Sequence, residues 1–288
     1  MINYSFIIPH KNRPDLLKRC VDSIPERNDV QIIVIDDNSS IDKKPTIRRT
    51  GCEVILLTAE QSKGAGRARN VGLKHAKGKW LLFADADDYY NEGFLDVLDT
   101  YKGEKYDVVY FNFEYKDGVT GETLPPLRWR RIITEYDGSK DAQESIRFRN
   151  KVPWTKMVCH EYLTRYNIIF EEVPNGNDIL FSFMVGCHTE NIAVETQPIY
   201  VYLRNDNSIL TKKPSAKDAL CKLTHRVKLN SVYYDLGHSE WRGSVVRLIF
   251  HYTWEVGIPF VHLLLLNSYK LYRYRNEWID MARNNTRK

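Results

Sequence analysis

Three aspartates in four positions, Asp85-Ala86-Asp87-Asp88, directly follow the apolar run Trp80-Leu81-Leu82-Phe83-Ala84. Five apolar residues in a row predict a buried central strand. Open α/β sheets hold their ligands at the carboxyl ends of such strands. Two carboxylates about 5 Å apart repel by about 3 kcal/mol at an effective dielectric of about 20. The cluster is therefore either an acidic turn leading into the next helix or a seat for a cation. Hard oxygen ligands suit Mg2+ or Mn2+, which are often held by one or two carboxylates together with substrate phosphates. A second acidic tip, Asp36-Asp37-Asn38-Ser39, ends the apolar stretch at 31–35. A carboxylate there can accept a hydrogen bond from a nucleobase N–H or a ribose hydroxyl; the same residues also suit an Asx turn or a helix cap. Between the two tips lies Lys63-Gly64-Ala65-Gly66-Arg67-Ala68-Arg69-Asn70. Its glycines lack the GxGxxG spacing and no Walker lysine follows, so it reads as the entry to a helix that carries Arg67 and Arg69 to the same edge.

The elements that must position these residues alternate. Strands are predicted at 4–9, 31–35, 53–58 and 80–84, with amphipathic helices at 14–24 and 67–76. This rhythm predicts an α/β fold, a Rossmann-like and mostly parallel sheet with helices on both faces. A short helix at 91–100 and a strand at 107–115 follow. The polar section 118–151, rich in arginine and turn residues, has no clear assignment. A helix is expected at 178–185, one or two strands at 192–202, and mainly helices over 215–288.

Composition narrows the class. At 288 residues, 43% hydrophobic and 27% charged, the chain has ample material for a core. Its five cysteines are odd in number, scattered and without metal-ligand spacing, which reads as buried thiols in a reducing compartment. No charged leader precedes a long apolar region, so no signal peptide is expected, and no stretch approaches the roughly 20 apolar residues of a membrane span. The net charge of +5 is uneven: residues 215–288 hold 12 Lys and Arg against 6 Asp and Glu.

Four segments together carry a resemblance. Ser5-Phe6-Ile7-Ile8-Pro9-His10-Lys11-Asn12-Arg13, Val34-Ile35-Asp36-Asp37-Asn38-Ser39, Gly66-Arg67-Ala68-Arg69-Asn70-Val71-Gly72 and Phe83-Ala84-Asp85-Ala86-Asp87-Asp88 resemble, in order and spacing, the family 2 glycosyltransferases of GT-A fold, in the bacterial surface-polysaccharide branch. The resemblance is strong over about 4–115. It thins through Trp154-Thr155-Lys156-Met157, Ile169-Phe170-Glu171-Glu172, Gly176-Asn177-Asp178-Ile179-Leu180-Phe181 and Tyr202-Leu203-Arg204-Asn205-Asp206-Asn207-Ser208-Ile209. It implies a nucleotide-sugar-binding half at 1–115, an acceptor and catalytic-base half at 116–214, and a helical region at 215–288. Pro9 and Asp37 are implied at the nucleobase pocket and Arg69 beside the nucleotide. Asp85 and Asp87 are implied as the DxD element, Asp87 ligating Mn2+ or Mg2+ and Asp85 facing the sugar or ribose. Asp178 matches the catalytic base, although it follows the turn at 174–177 and equally suits a helix N-cap.

The sequence departs from the family at three places. Asn177 stands where Glu is frequent, His10-Lys11 replaces the more usual Thr-Tyr, and no Gln-x-x-Arg-Trp is present, which argues against a processive synthase. Trp129-Arg130-Arg131 is assigned to an acceptor loop instead. Arg204 is either a clamp on the diphosphate or a surface arginine.

The implied activity is inverting, metal-dependent transfer of one sugar from a nucleoside-diphosphate donor, by default UDP, to a saccharide or lipid-linked acceptor. No nucleic-acid partner is expected. Nucleotidylyl transfer or a degenerate sugar-binding module are the competing readings; the first lacks its glycine-bearing loop at His10-Lys11-Asn12-Arg13, and the second would be expected to lose Asp85, Asp87 or Asp178. In the tail, the leucine-rich run 260–266 and the Tyr, Arg and Trp residues up to Trp278 suit the surface of an anionic membrane. They equally suit a core helix or a homodimer interface. A cytoplasmic protein is expected, with the tail at the inner membrane face on the first of these readings.

Overall fold

The structure, a computed structural model, describes residues 1–205, 213–269 and 271. The chain divides into two compact units, Met1–Glu172 with Asn177–Asp206, and Val173–Gly176 with Asn207–Lys288. In chain order the first contains β1 (Tyr4–His10), α1 (Pro14–Asp22), β2 (Val30–Asp36), β3 (Cys52–Leu56), α2 (Ala65–His75), β4 (Trp80–Phe83), β5 (Tyr89–Tyr90) and α3 (Phe94–Asp99). It continues with β6 (Val108–Asp117), α4 (Arg131–Thr134), α5 (Lys140–Arg149), β7 (Lys156–Cys159), α6 (His160–Arg165), α7 (Asn177–Cys187) and β8 (Ile192–Arg204). The strands form one sheet in the order β3-β2-β1-β4-β7-β6-β8-β5.

The first four positions of the sheet are parallel, as the βα rhythm predicts. Every residue of β2 and β4 is buried, the signature of strands covered by helices on both faces. Pro14, pre-set for the first helical turn, starts α1, which buries Leu17, Cys20 and Val21. The chain builds outward from β1 to β2 and β3, then returns to the other side of β1 as β4. That reversal is a topological switch point, where α/β sheets open a ligand crevice. The registers sharpen it: β1 pairs with β2 as far as His10↔Asp36 but with β4 only to Ile7↔Phe83. Pro9 lies in the overhang, where its missing N–H costs β4 no ladder bond.

The second half of the sheet is mixed. β7 enters antiparallel between β4 and β6, and β6 runs parallel to β8. The expected strand or strands at 192–202 form one long strand whose register slips twice around Asn112, opposite Pro198. A bulge tolerates a residue with no N–H, and the Asn112 side chain holds it by donating to Thr196 O at 2.8 Å. The polar section without a sequence assignment is α4, α5 and a 3-10 turn at Arg128–Arg130. All five cysteines are free thiols, Cys20 and Cys187 buried and the others half-buried.

In the second unit, α8 (Ala216–Asp235) and α9 (Val245–Val256) are followed by helical residues 258–269. Ser215 and Asp218 make a reciprocal capping box at the start of α8. Ala219, Leu223, Tyr252 and Phe260 form the core of this unit. Gly257, at φ 75°, ends α9 in a conformation that other residues rarely adopt. No described helix is long and apolar enough to cross a membrane. Arg273, Arg275 and Trp278 lie outside the described residues.

Candidate active site

The two aspartates that end β2 have separate tasks. Asp36 is fully buried and accepts from Ser39 N at 3.0 Å, with His10 Nδ1 2.8 Å from its other oxygen. It is the structural residue of the turn, bonding the backbone N–H and hydroxyl three residues on. Asp37 is turned toward the entry of α2, accepting from Gly64 N at 3.2 Å and Lys11 Nζ at 3.3 Å. Its own N–H donates to His10 O at 2.8 Å, which ties it to the end of β1 beside Pro9.

The acidic turn after β4 is sorted in the same way. Asp88 faces inward: it accepts from the Tyr200 hydroxyl at 2.8 Å and Leu203 N at 2.9 Å, and burial pushes its carboxyl well above the usual carboxylate range. The Tyr200 oxygen in turn accepts from Asp85 N at 3.0 Å, so β8 fixes the turn from behind. Asp85 and Asp87 face out. Asp85 accepts from Arg69 Nη2 at 2.5 Å, and Asp87 from Asn205 Nδ2 at 3.1 Å. The Asp87 carbonyl accepts from Arg19 Nη2 at 2.7 Å. Burial, then the neighbouring Asp85 charge, raise the pKa of Asp87.

A divalent cation fits these two groups. Each keeps one carboxylate oxygen without a hydrogen bond among the described residues. Among the described residues no cluster of three His, Cys, Asp or Glu side chains could ligate a metal. The protein thus offers two carboxylates, which suits ions that complete their shell with water and substrate phosphates.

Arg69 joins this turn to α7. Its Nη1 donates to Asn177 Oδ1 at 2.7 Å while Nη2 holds Asp85, and its guanidinium lies 5.3 Å over the Phe170 ring. Asp178 follows Asn177 inside the first turn of α7, one residue past the helix start, where the helix dipole favours a carboxylate. Burial raises its pKa and Asp85 adds to the shift; Arg69 and Lys156 oppose it. Lys156 is itself buried, with its ammonium donating to Asn150 O at 3.0 Å, Asn150 Oδ1 at 2.9 Å and Val152 O at 2.5 Å.

The structure thus brings Pro9, Asp37, Arg69, Asp85, Asp87 and Asp178 to the carboxyl-end side of the switch point. Arg204 lies between Leu203 and Asn205, which bond Asp88 and Asp87, and its own half-exposed Nη2 pairs with Asp117 Oδ2 at 2.6 Å on the adjacent strand. Tyr200, Arg19, Asn205 and Lys156 are supporting residues that sequence reasoning did not single out. Tyr200 looks like one more apolar strand residue, and only its pairing partners give its hydroxyl a task.

Comparison with known proteins assigns the chain to a family. The family model described as Glycosyl transferase family 2 covers residues 5–163. The uncharacterized glycosyltransferase EpsJ of Bacillus subtilis is 27% identical over 232 residues, 76% of this chain and 66% of that protein. The poly(ribitol-phosphate) beta-N-acetylglucosaminyltransferase TarS of Staphylococcus aureus is 25% identical over 211 residues, 70% of this chain and 35% of TarS. The chain therefore spans 66% or less of the length of these relatives. The crystal structure of S. aureus TarS 1–349 in complex with UDP-GlcNAc shares the fold, with a TM-score of 0.62 at 17% identity over 99% of this chain and 91% of that one. With more than half of its length inside the family match and an α/β unit that superposes on TarS, the chain is a family 2 glycosyltransferase with the GT-A fold.

Proposed function

We propose that the protein moves one sugar from a UDP-sugar to a glycan or lipid-linked saccharide in the synthesis of a bacterial surface polysaccharide, with inversion at the anomeric carbon. One observation carries this reading: Arg69 draws Asp85 and the Asn177-Asp178 start of α7 together from three separate segments. TarS, whose structure holds UDP-GlcNAc and whose name gives a poly(ribitol-phosphate) acceptor, supports the donor class. Pro9 and Asp37 would flank the nucleobase, and Asp85 and Asp87 would hold Mn2+ or Mg2+. The bound ion supplies positive charge against the departing diphosphate. Asp178 would accept the proton of the attacking hydroxyl, and its raised pKa makes it a stronger base than a free carboxylate. Arg204, next to the Asn205 that bonds Asp87, would clamp the diphosphate by exchanging its exposed pair with Asp117 for it.

The second unit is assigned to the inner face of an anionic membrane, where a lipid-linked acceptor resides. α9 leaves Val246, Phe250 and Trp254 exposed at intervals of four residues, Trp254 by 91%. The basic excess of 215–288 complements acidic headgroups.

Thermal shift with UDP, with and without Mn2+, tests the site, since binding stabilises by RT ln(1 + [L]/Kd). Stabilisation by UDP that requires Mn2+ and disappears in Asp87→Asn is the expected result. Full turnover in EDTA would overturn the metal, and no response to any nucleotide would overturn the donor.

A further inference from the structure

The section between β6 and β7 forms an open cleft of about 570 Å³ lined by Arg128, Trp129, Arg131, Glu135, Ser145 and Arg149, its charged residues exposed to solvent. Three guanidiniums against one carboxylate make it electropositive. Glu135 lies 3.5 Å from Arg131, and Arg149 donates to Ser145 Oγ at 3.2 Å. Arg128 makes no hydrogen bond or ion pair among the described residues. Arg130, between them in sequence, takes no part: its Nε donates to Asn112 Oδ1 at 2.7 Å and its guanidinium lies over the Phe113 ring. The fold thus turns one arginine to the core and gathers three around an indole. The three guanidiniums are exposed to solvent, with Arg131 paired to Glu135, and their net positive charge attracts an anion to this face.

The cleft is also connected to the acidic turn. Trp129 stacks on Phe113 at 4.8 Å and meets the edge of Trp154 at 5.8 Å. Trp154 stacks on Tyr200 at 4.9 Å, and the Tyr200 hydroxyl bonds both Asp88 and Asp85 N. A chain of stacked and edge-on ring contacts therefore runs from the cleft to the aspartates.

We propose that this cleft binds an anionic stretch of the acceptor, so that the acceptor is a glycan bearing phosphate or carboxylate groups. The inference rests on the glycosyltransferase reading above. Guanidinium forks match both anions bidentately and stay charged at any working pH, while the Trp129 face offers an apolar floor for the carbon skeleton between charges.

The test titrates the full chain, without donor, with three oligomers of matched length: a ribitol phosphate, a galacturonate and an uncharged maltooligosaccharide. At least one anionic oligomer should bind about tenfold or more tighter than the neutral one, and lose affinity as salt rises. The arm that binds identifies phosphate or carboxylate as the source. Arg128→Gln with Arg131→Gln should weaken that binding about fivefold or more, leaving Mn2+-dependent UDP binding and donor hydrolysis unchanged. If the pair does not fold, Arg149→Gln on α5 is read by the same titration. Equal binding of all three oligomers, or unchanged affinity in a folded variant, would overturn the proposal. A protein that binds the anionic oligomer but no nucleotide would refute the donor reading and leave the cleft standing.

Discussion

Asp85, Asp87 and Asp88 are near neighbours in sequence, yet the fold gives each acid a different environment. Asp88 is sealed beneath Tyr200 and Leu203 N, Asp85 is held by Arg69, and Asp87 accepts from the amide of Asn205 among the described residues. The folded state holds the protons of Asp87, Asp88 and Asp178 more tightly than the unfolded chain does. Stability from these groups is therefore fully present below about pH 4, the ordinary carboxylate value, and lost as pH rises through the raised folded values. Metal-free Asp87→Asn should accordingly match or exceed the wild-type melting temperature near neutral pH while turnover is abolished; a lower one would show that the carboxylate stabilises the fold. Asp178→Asn should cut kcat by about 10²-fold or more with donor affinity near wild type. The acid limb of the wild-type rate profile should lie above the usual carboxylate range, because the base works only once its raised pKa is passed. Normal turnover in Asp178→Asn would return the residue to a role in the first turn of α7. The sequence alone places the acids at the right edge but cannot rank them. The ranking depends on Ser39 within the first tip and on His10, Tyr200 and Asn205, which reach the two tips from other strands and loops.

At the scale of elements, α2 sets the position of Arg69. A Cβ on Gly66 would stand 2.1 Å from Glu171 O, and one on Gly72 2.5 Å from Ile7 Cγ2. The two glycines let the helix lie close to the 171 segment and to the sheet, and Arg69 follows Gly66 by one turn. Their task is close packing, where the sequence alone suggests a flexible entry. Gly66→Ala should cost about 1–3 kcal/mol in denaturant unfolding, the range for overpacking, and should weaken donor binding by displacing Arg69. Gly103→Ala, with open space around it, should stay within about 0.5 kcal/mol; equal losses in the two would refute the packing account. The parallel strands β1 to β4 were legible because buried β-branched runs and helical periodicity are local signals. The antiparallel entry of β7, the bulge at Asn112 and the helices α4 and α5 were not. Pairing between distant strands and short polar helices leaves no period to read.

For the whole molecule, charge and exposed apolar surface are concentrated in the same unit. Val246, Phe250 and Trp254 on α9, with Leu265, Leu266 and Tyr269 beyond it, are exposed. Each Lys or Arg near an anionic surface contributes about 1 kcal/mol, so a handful with these side chains would hold the protein reversibly. Flotation with anionic vesicles should show binding that falls with salt and with Phe250→Ser plus Trp254→Ser, and neutral vesicles should bind weakly. A dimer in light scattering that dissociates in this double variant, with no flotation at low salt, would reassign the face to a second copy. The sequence reading left the partner of 260–278 open, and the structure adds exposed apolar side chains on α9, upstream of that stretch.

Arg69 carries a consequence for how the sequence can drift. Its two partners lie 16 and 108 positions further along the chain, so a mutation at either is judged against the state of the other. A double-mutant cycle over Asp85 and Asn177 should return an interaction of about 0.5–3 kcal/mol, where unconnected sites would add. Asn177→Glu would set two carboxylates competing for one guanidinium and weaken its hold on Asp85. On this account the three positions act as one energetic unit although the chain writes them far apart.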